Sequence, residues 1–515
     1  MFDYIIIGAG TAGCVLAARL SEDPRVNVAL IEAGPMDASL LSRSPAAAPL
    51  LARRSGLHST PQAGLNGRAT YLPHAPMLGG ASASNAMLYS RGHPSDYEHW
   101  AAEGNLGWGF ADVRPFFLRV EDTLGIADAA PAQACSQAFV DAAGQAGWPH
   151  LPHFNNPQPE GIGLHQVLRR AGERCSTAAA YVLPQLQRTN LHLFTHAHCT
   201  RVLLRGARAI GVEFAQDGLL QQLHTQGEVL LCAGAYHSPQ LLMLSGIGPH
   251  AHLVANGIAT RHALPGVGLH LHDQATVALV FDAPHAKDLL GLSPTGLLRL
   301  ARAAWQWRQA RSGPLTSNFL EAGGYVKSRP EEAMPDLQLG LGCAKLLDHG
   351  RQILPGLGFT LLATVLRPRS RGTVLLEGKD PFLAPRLDPH LLGEREDVEC
   401  LQRGLGLLRQ IAAQPAMAAL GARETRRSAA QQSELQTEYF IRDHATAAGY
   451  PVGSCRMGSG PLDVVDAQLR VHGMQGLRVV DAAVMPSTVG GPTQGAVAML
   501  AEKAASLLQA DTGVL

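Results

Sequence analysis

The stretch FDYIIIGAGTAGCVLAARL, residues 2–20, decides the fold of this chain. FDYIII ends in a run of isoleucines, which is typical of a buried parallel strand. TAGCVLAARL has helical spacing, with Val15, Leu16 and Leu20 on one side. VNVALIEAG then reads as a second buried strand. Together these segments predict a β-α-β unit of about thirty residues.

A GxGxxG turn joins the first strand to the helix. Its first glycine allows a tight turn, its second lets a pyrophosphate approach the backbone, and its third lets the helix pack on the strand. The helix N-terminus favours the anion, and an acid about twenty residues further on can bind the ribose hydroxyls. The pattern predicts a dinucleotide site without separating FAD from NAD. Its expected residues are Gly8, Gly10, Thr11, Ala12, Gly13, Glu32 and Ala33.

Length and composition bound the class of protein. A chain of 515 residues suits two or three domains. Lys plus Arg and Asp plus Glu number 42 each, so the basic excess typical of nucleic-acid binding is missing. The 8 cysteines show no paired spacing, which predicts neither a structural zinc nor a disulfide framework.

The N-terminus and the apolar runs bear on location. The strand-like run 3–7 follows Met1 almost at once, so we expect no signal peptide. No apolar run reaches the roughly 18 residues that a membrane span needs. We therefore expect a cytoplasmic protein with reduced thiols and no membrane span.

The remaining pattern gives a coarse order of elements. Residues 36–130 read as loop-rich, and 190–235 as a series of strands. The region 275–345 alternates as a sheet does, and we expect FTLLATVL and GTVLLEG to continue that sheet. Helical spacing returns at 394–414 and 495–509.

Several longer segments carry a family resemblance. PHAPMLGGASASNAMLYSRGHPSDYEHW (73–100) resembles the first signature of the glucose–methanol–choline (GMC) oxidoreductases, and GAYHSPQLLMLSGIGP (234–249) resembles the second. PVGSCRMG and LRVVDAAVMPSTVGGPTQGAVAMLAEKAA resemble the C-terminal half of that family. The segments occur in family order over nearly the whole chain.

The resemblance implies an α/β fold with two domains. A Rossmann-like FAD-binding domain would comprise residues 1–155, 185–275 and 440–515. A substrate domain, built on an antiparallel β-sheet flanked by helices, would comprise 156–184 and 276–439.

The resemblance also implies which residues bind FAD. Small or hydrogen-bonding residues would follow the pyrophosphate and the flavin edge: Gly79, Gly80, Ser82, Asn85, Ala86, Met87 and Leu88. Others would contact the adenine, the ribityl chain or the pyrophosphate: Cys199, Ala233, Gly234, Asp481, Ala482 and Thr493. Some relatives attach FAD through a histidine at the place of Ser84, so FAD should be bound non-covalently here.

Two positions depart from the family's catalytic pattern. In the family, a histidine in YHPVGTCRMG-like motifs takes the hydroxyl proton of an alcohol while hydride passes to flavin N5. This chain has Tyr450 there. The second catalytic residue, a histidine or asparagine in SGNTNAPT-like motifs, is replaced by Pro492, which has no side-chain donor or acceptor.

Tyr450 has several interpretations. A phenol with a pKa of about 10 is a poor base at neutral pH. It could donate a hydrogen bond to a substrate oxygen, act as a general acid, or only fill space. His444 and His237 are the nearest substitutes for the missing histidine in sequence terms.

The predicted function is an FAD-dependent oxidase or dehydrogenase that removes a hydride from a small organic substrate, with an alcohol as the leading class. O2 or a quinone would reoxidise the flavin. The altered pair leaves open a GMC-fold flavoenzyme with changed chemistry, such as a desaturase, lyase or decarboxylase, or a degenerate flavin-binding protein.

Overall fold

A computed structural model describes residues 1–36, 39–52, 56–128, 133–156, 158–286, 289, 294–430 and 433–511. It has two seven-stranded sheets with helices packed against them. The predicted α/β fold class is therefore confirmed. The division into two domains at the stated boundaries stays a prediction.

The first sheet contains the predicted β-α-β unit. The strands Phe2–Ile7 and Val28–Ile31 are parallel neighbours, with Tyr4 opposite Val28. The full order across the sheet is Ala197–Arg205, Arg208–Gln216, Leu219–Leu231, Phe2–Ile7, Val28–Ile31 and Leu191–Phe194, with Leu477–Val479 also paired to Leu219–Leu231. The parallel strands in its centre are buried, as their apolar runs predict.

The second sheet is antiparallel in every pair between its named strands. Its order is Arg423–Glu424, Ala275–Asp282, Gly358–Val365, Leu337–Gly342, Ala322–Val326 and Gly161–Leu164, with Thr446–Ala447 also paired to Ala275–Asp282. Because side chains alternate along a strand, one face packs on helices and the other is left for a cavity.

The longer helices position the two sheets. They span Thr11–Leu20, Pro94–Ala102, Phe110–Thr123, Ala134–Gln145, Gly234–Leu244, Pro294–Ala310, Arg395–Ala412, Glu434–His444 and Gln494–Asp511. The first helix is buried along most of its length and packs against both the first sheet and the C-terminal helix. Within the described residues, no helix combines the length and apolarity needed to cross a bilayer.

Two expectations about local structure are wrong. The region 36–130 contains the helices Pro94–Ala102 and Phe110–Thr123, and the His93 side chain caps the first of them by accepting a hydrogen bond from the Ser95 amide. The segment GTVLLEG forms the strand Thr373–Leu375, which pairs with Arg386–Asp388 in a separate two-stranded sheet. The alternating pattern of GTVLLEG predicts a strand, but it does not predict which strand pairs with it.

Candidate active site and cofactor cleft

The glycines of the GxGxxG turn make different contacts. A Cβ at Gly13 would overlap the carbonyl oxygen of Gly8, and one at Gly8 would lie 2.5 Å from the carbonyl oxygen of Cys232. A Cβ at Gly10 would come no closer than 4.0 Å to Cys232. The outer glycines thus hold the helix against the sheet, while the middle one borders open space into which a pyrophosphate fits.

Glu32 ends the second strand at this turn. Its buried carboxylate accepts hydrogen bonds from the amides of Ala9 and Gly34, each at 2.9 Å. Burial raises the pKa of the Glu32 carboxyl above its usual value. Ala33 follows it in the chain, and the first helix begins at Thr11 and Ala12. The arrangement fits a ribose on the carboxylate and an anion on the helix N-terminus.

The first-signature segment packs directly on the turn. The Gly79 amide donates to the carbonyl of Ala9 at 2.7 Å. A Cβ at Gly80 would lie 2.8 Å from the Cα of Gly10, so a side chain at this position would separate the two segments. The Ser82 hydroxyl donates to the Gly79 carbonyl at 2.6 Å and fixes this turn.

Residues 85–88 form one wall of the cleft. The Asn85 side-chain amide donates to Oε1 of Gln494 at 2.5 Å, and its Oδ1 accepts from the Met87 amide at 2.9 Å. The Ala86 carbonyl accepts from Asn318, and Leu88 forms a β-bridge with Val167. Thr493 and Gln494 lie at the start of the C-terminal helix, so this wall meets a helix N-terminus.

Asp481 joins the remaining cofactor segments. Its buried carboxylate accepts from the Gly234 amide, the Ser238 hydroxyl and the Ala483 amide at 2.6–2.8 Å. A Cβ at Gly234 would meet nothing within 4 Å, so open space also borders this turn. Ala233 caps the helix Gly234–Leu244, and Ala482 begins the short helix after Asp481.

Cys199 lies apart from these turns, on an outer strand of the first sheet. It pairs with Phe214, and its thiol donates to the Glu213 carbonyl at 3.4 Å. The cofactor contacts of Cys199 and of the other residues stay predictions. The combination of open turns, the Glu32 carboxylate and helix N-termini fits FAD.

A cavity of about 630 Å³ opens beside the wall formed by residues 85–88. Much of its floor is the free face of the second sheet, which presents Thr276, Ala278, Gly340, Gly342, Thr360, Leu362 and Thr364. Charged side chains also line it: Arg68, Asp348, Arg351, Arg427 and Asp443. Asn85, Ala86 and Leu88 are shared between the cavity and the predicted flavin site, and Ser84 lines the cavity next to them.

Tyr450 lines this cavity. Its backbone amide donates to Oδ1 of the buried Asp273 at 2.8 Å, which fixes the backbone at this position. Burial, and then the neighbouring Tyr325 and Asp273, raise the pKa of the Tyr450 hydroxyl well above its usual value. The phenol is therefore neutral at pH 7 and can donate a hydrogen bond, but it is not a base.

Pro492 lies close to the same region but is not among the cavity-lining residues that the structure describes. It is buried and follows Gly491. A Cβ at Gly491 would lie 2.7 Å from the Tyr325 hydroxyl. Pro492 can shape this corner, but it offers no polar group to a substrate.

The two substitute histidines are placed differently. His444 lines the cavity, but its Nδ1 bonds to the Phe440 carbonyl at 2.9 Å and its ring stacks on Phe440. His237 bonds to Gln240 and packs on the ring of His74, with centroids 4.7 Å apart. It is not among the described residues that line the cavity. Burial lowers the pKa of both imidazoles.

Sequence reasoning missed several residues of the site: Asp273, His165, Tyr325 and Gln494. Gln494 directly follows Thr493 in a quoted motif and could have been found there. His165 and Tyr325 are single residues on strands of the second sheet or next to them, where no spacing marks them. Only the pairing of those strands brings His165 to the cavity and Tyr325 beside Gly491.

The fold and the cleft fit a dinucleotide-binding α/β protein, and comparisons with known proteins specify its class. Family models described as GMC oxidoreductase match residues 2–276 and 368–501. The chain belongs to the GMC oxidoreductase family. It is accordingly an FAD-dependent oxidoreductase that acts on CH–OH donors.

Individual relatives cover nearly the whole chain. An alcohol dehydrogenase (acceptor) of Pseudomonas putida is 39% identical over 99% of this chain and 96% of its own length. The mitochondrial choline dehydrogenase of Mus musculus is 36% identical over 99% of this chain and 89% of its own. The crystal structure of pyridoxine 4-oxidase from Mesorbium loti superposes with a TM-score of 0.88 at 31% identity, covering 98% of this chain and 99% of that one.

Proposed function

We propose that the protein oxidises a small, largely apolar alcohol with non-covalently bound FAD as the hydride acceptor. The observation that supports this most is the shared wall, because Asn85, Ala86 and Leu88 border both the cavity and the predicted flavin site. The floor of small and apolar side chains suits a hydrocarbon body. An alcohol carbon could thus approach the flavin edge while its chain lies on the sheet.

Tyr450 would orient the substrate oxygen. Its neutral hydroxyl can donate a hydrogen bond to that oxygen, which strengthens as negative charge develops there. The Asp273 carboxylate would keep Tyr450 in place through its backbone amide. FAD supplies the two-electron acceptor when it is bound. The site residues named here remain proposals that the following experiments test.

The first test concerns how FAD is attached. Because position 84 is a serine, we expect precipitation with trichloroacetic acid to release all the flavin into the supernatant. The measurement is the absorbance of supernatant and pellet at flavin wavelengths. Yellow colour that stays in the washed pellet would contradict non-covalent binding.

The second test asks whether alcohols reduce the protein. The purified holoenzyme is mixed anaerobically with 1-octanol, benzyl alcohol or choline while the oxidised-flavin absorbance is followed. We expect bleaching by at least one of the two apolar alcohols. Should no alcohol bleach a flavin that dithionite reduces, the changed-chemistry alternative of a desaturase, lyase or decarboxylase would replace this proposal.

The third test removes the Tyr450 hydroxyl. We expect Tyr450→Phe to slow flavin reduction by the active alcohol about 10- to 100-fold, because a hydrogen bond to a developing charge contributes about 1.5–3 kcal/mol. Stopped-flow absorbance gives the rate. Tyr439→Phe, at a tyrosine that is 63% exposed on the surface, is the control with an unchanged rate. Equal rates in both variants would make Tyr450 a space-filling residue.

The electron acceptor, O2 or a quinone, and the cytoplasmic location stay predictions. Comparing reoxidation of the reduced protein by air with reoxidation by a soluble quinone distinguishes the two acceptors.

A further inference from the structure

One imidazole on the cavity wall has no role in the function proposed so far. His165 follows the strand Gly161–Leu164 and lines the cavity that Tyr450 also lines. Its backbone amide donates to the Glu321 carbonyl at 2.8 Å, which continues the pairing of the second sheet. Its ring forms no hydrogen bond with any residue that the structure describes, although His165 as a whole is only 4% exposed.

The residues around the His165 ring leave room for it. A Cβ at Gly323 on the neighbouring strand would lie 2.5 Å from Nε2 of His165, so glycine is needed there for the imidazole to lie over the sheet. On another side the ring packs on Phe154, with centroids 5.0 Å apart. Phe154 also packs on Tyr325, which in turn influences Tyr450 electrostatically. His165 and Tyr450 therefore belong to one contiguous region of the cavity.

The electrostatics keep this imidazole neutral. Burial alone lowers the pKa of His165 to about 4, with no charged neighbour contributing. A neutral imidazole has a ring nitrogen with a free lone pair, which can accept a proton. Negative charge that develops on a substrate oxygen beside the ring favours the protonated form and opposes the effect of burial.

The other cavity histidines are placed differently. Nδ1 of His444 bonds to the Phe440 carbonyl at 2.9 Å, and the His349 ring packs on Tyr71, with centroids 5.7 Å apart. His74 packs against His237. His58 also lines the cavity, but its side chain is exposed to solvent.

We propose that His165 is the proton acceptor in alcohol oxidation, in place of the histidine that Tyr450 replaces. The inference rests on the proposed function. In the step, the O–H bond of the alcohol breaks and its proton goes to a ring nitrogen of His165. The C–H bond would break with both electrons leaving as hydride, bound FAD would supply the acceptor for that hydride, and the carbon–oxygen double bond would form. Tyr450 donates to the same oxygen.

The test compares flavin reduction in single turnovers. With the apolar alcohol that reduces the wild type, we expect His165→Ala to slow reduction about 10²- to 10⁴-fold, the usual contribution of a general base. Added imidazole should raise the rate of flavin reduction in His165→Ala at least tenfold, because the small ring can occupy the space that the side chain leaves. His224→Gln, which replaces an exposed histidine on the strand Leu219–Leu231 of the first sheet, away from the described residues that line the cavity, should stay within about threefold of the wild type.

Readouts other than turnover keep the test independent of folding. FAD content and melting temperature should match the wild type in His165→Gln, which keeps a polar side chain of similar size. Calorimetric affinity for the aldehyde product should also change less than about fivefold, because a base acts on the proton rather than on the product. A wild-type rate in His165→Ala, or a loss of rate that imidazole does not restore, would overturn the assignment. A wild type that no alcohol reduces would instead overturn the proposed function, and this inference with it.

Discussion

We expect Glu502→Leu to lower the free energy of unfolding by about 3 kcal/mol, at the lower end of the range for breaking a buried ion pair. The Glu502 side chain is 0% exposed on the C-terminal helix. It accepts hydrogen bonds from Nε and Nη2 of Arg19, each at 2.9 Å, and from the Tyr181 hydroxyl at 2.9 Å. Leucine would leave Nε of Arg19 and the Tyr181 hydroxyl without this acceptor, while Nη2 of Arg19 keeps a longer hydrogen bond to Oγ1 of Thr123 at 3.3 Å. Arg19 is 27% exposed, so water can recover part of the loss.

The chain offers a matched control for this prediction. Glu22 pairs with the same Arg19 at 2.9 Å but is 47% exposed. Glu22→Leu should therefore change stability by no more than about 0.5 kcal/mol. Urea unfolding of both variants, followed by circular dichroism, gives the comparison. Similar losses of unfolding free energy in the two variants would show that the burial of Glu502 does not make its ion pair more stabilising than the exposed one.

Glu502→Leu should also weaken the binding of FAD. Arg19 lies on the first helix, and Glu502 lies on the helix whose first turn meets Asn85 through Gln494. The pair thus ties together two helices whose N-termini face the predicted FAD cleft. We expect Glu502→Leu to retain less FAD on gel filtration than Glu22→Leu does.

The cofactor cleft was the part of the site that sequence could predict. The spacing of Gly8, Gly10 and Gly13 directly after a strand is visible in the sequence, although Gly8 also packs on the distant Cys232 carbonyl. Glu32 follows at the distance that a β-α-β unit imposes. The roles of residues 79–88 and 481–493 came from family resemblance instead, because nothing local marks them.

The position of His165 in the cavity could not be predicted in the same way. His165 reaches the cavity because its strand lies beside the strand of Gly323, whose missing side chain makes room for the ring. Pairing between distant strands does not appear in local alternation, which is also why GTVLLEG was assigned to the wrong sheet. Nearness in sequence points to His444 and His237 as substitutes, whereas the structure gives both rings other hydrogen-bond partners.

The largest expected effect on cofactor binding comes from one methyl group at Gly13. The Cβ of Gly13→Ala would overlap the carbonyl oxygen of Gly8 and would lie 3.4 Å from the Cβ of Cys232. Both obstacles directly follow central strands, Phe2–Ile7 and Leu219–Leu231, so the helix must move away from the sheet. Such overpacking costs about 3 kcal/mol when backbone has to shift, and the shift occurs at the turn that faces the pyrophosphate.

If that cost falls on the FAD-bound state, the affinity for FAD decreases about a hundredfold. Fluorescence titration of the apoprotein with FAD measures it. Gly144→Ala is the control, since Gly144 lies within the helix Ala134–Gln145 and a Cβ there would meet nothing within 4 Å. Alanine at that position should stabilise the helix by about 0.5–1 kcal/mol and leave FAD binding unchanged. An unchanged FAD affinity in Gly13→Ala would mean that the turn tolerates a displaced helix, and that the close packing of Gly13 on Gly8 does not set the cofactor site.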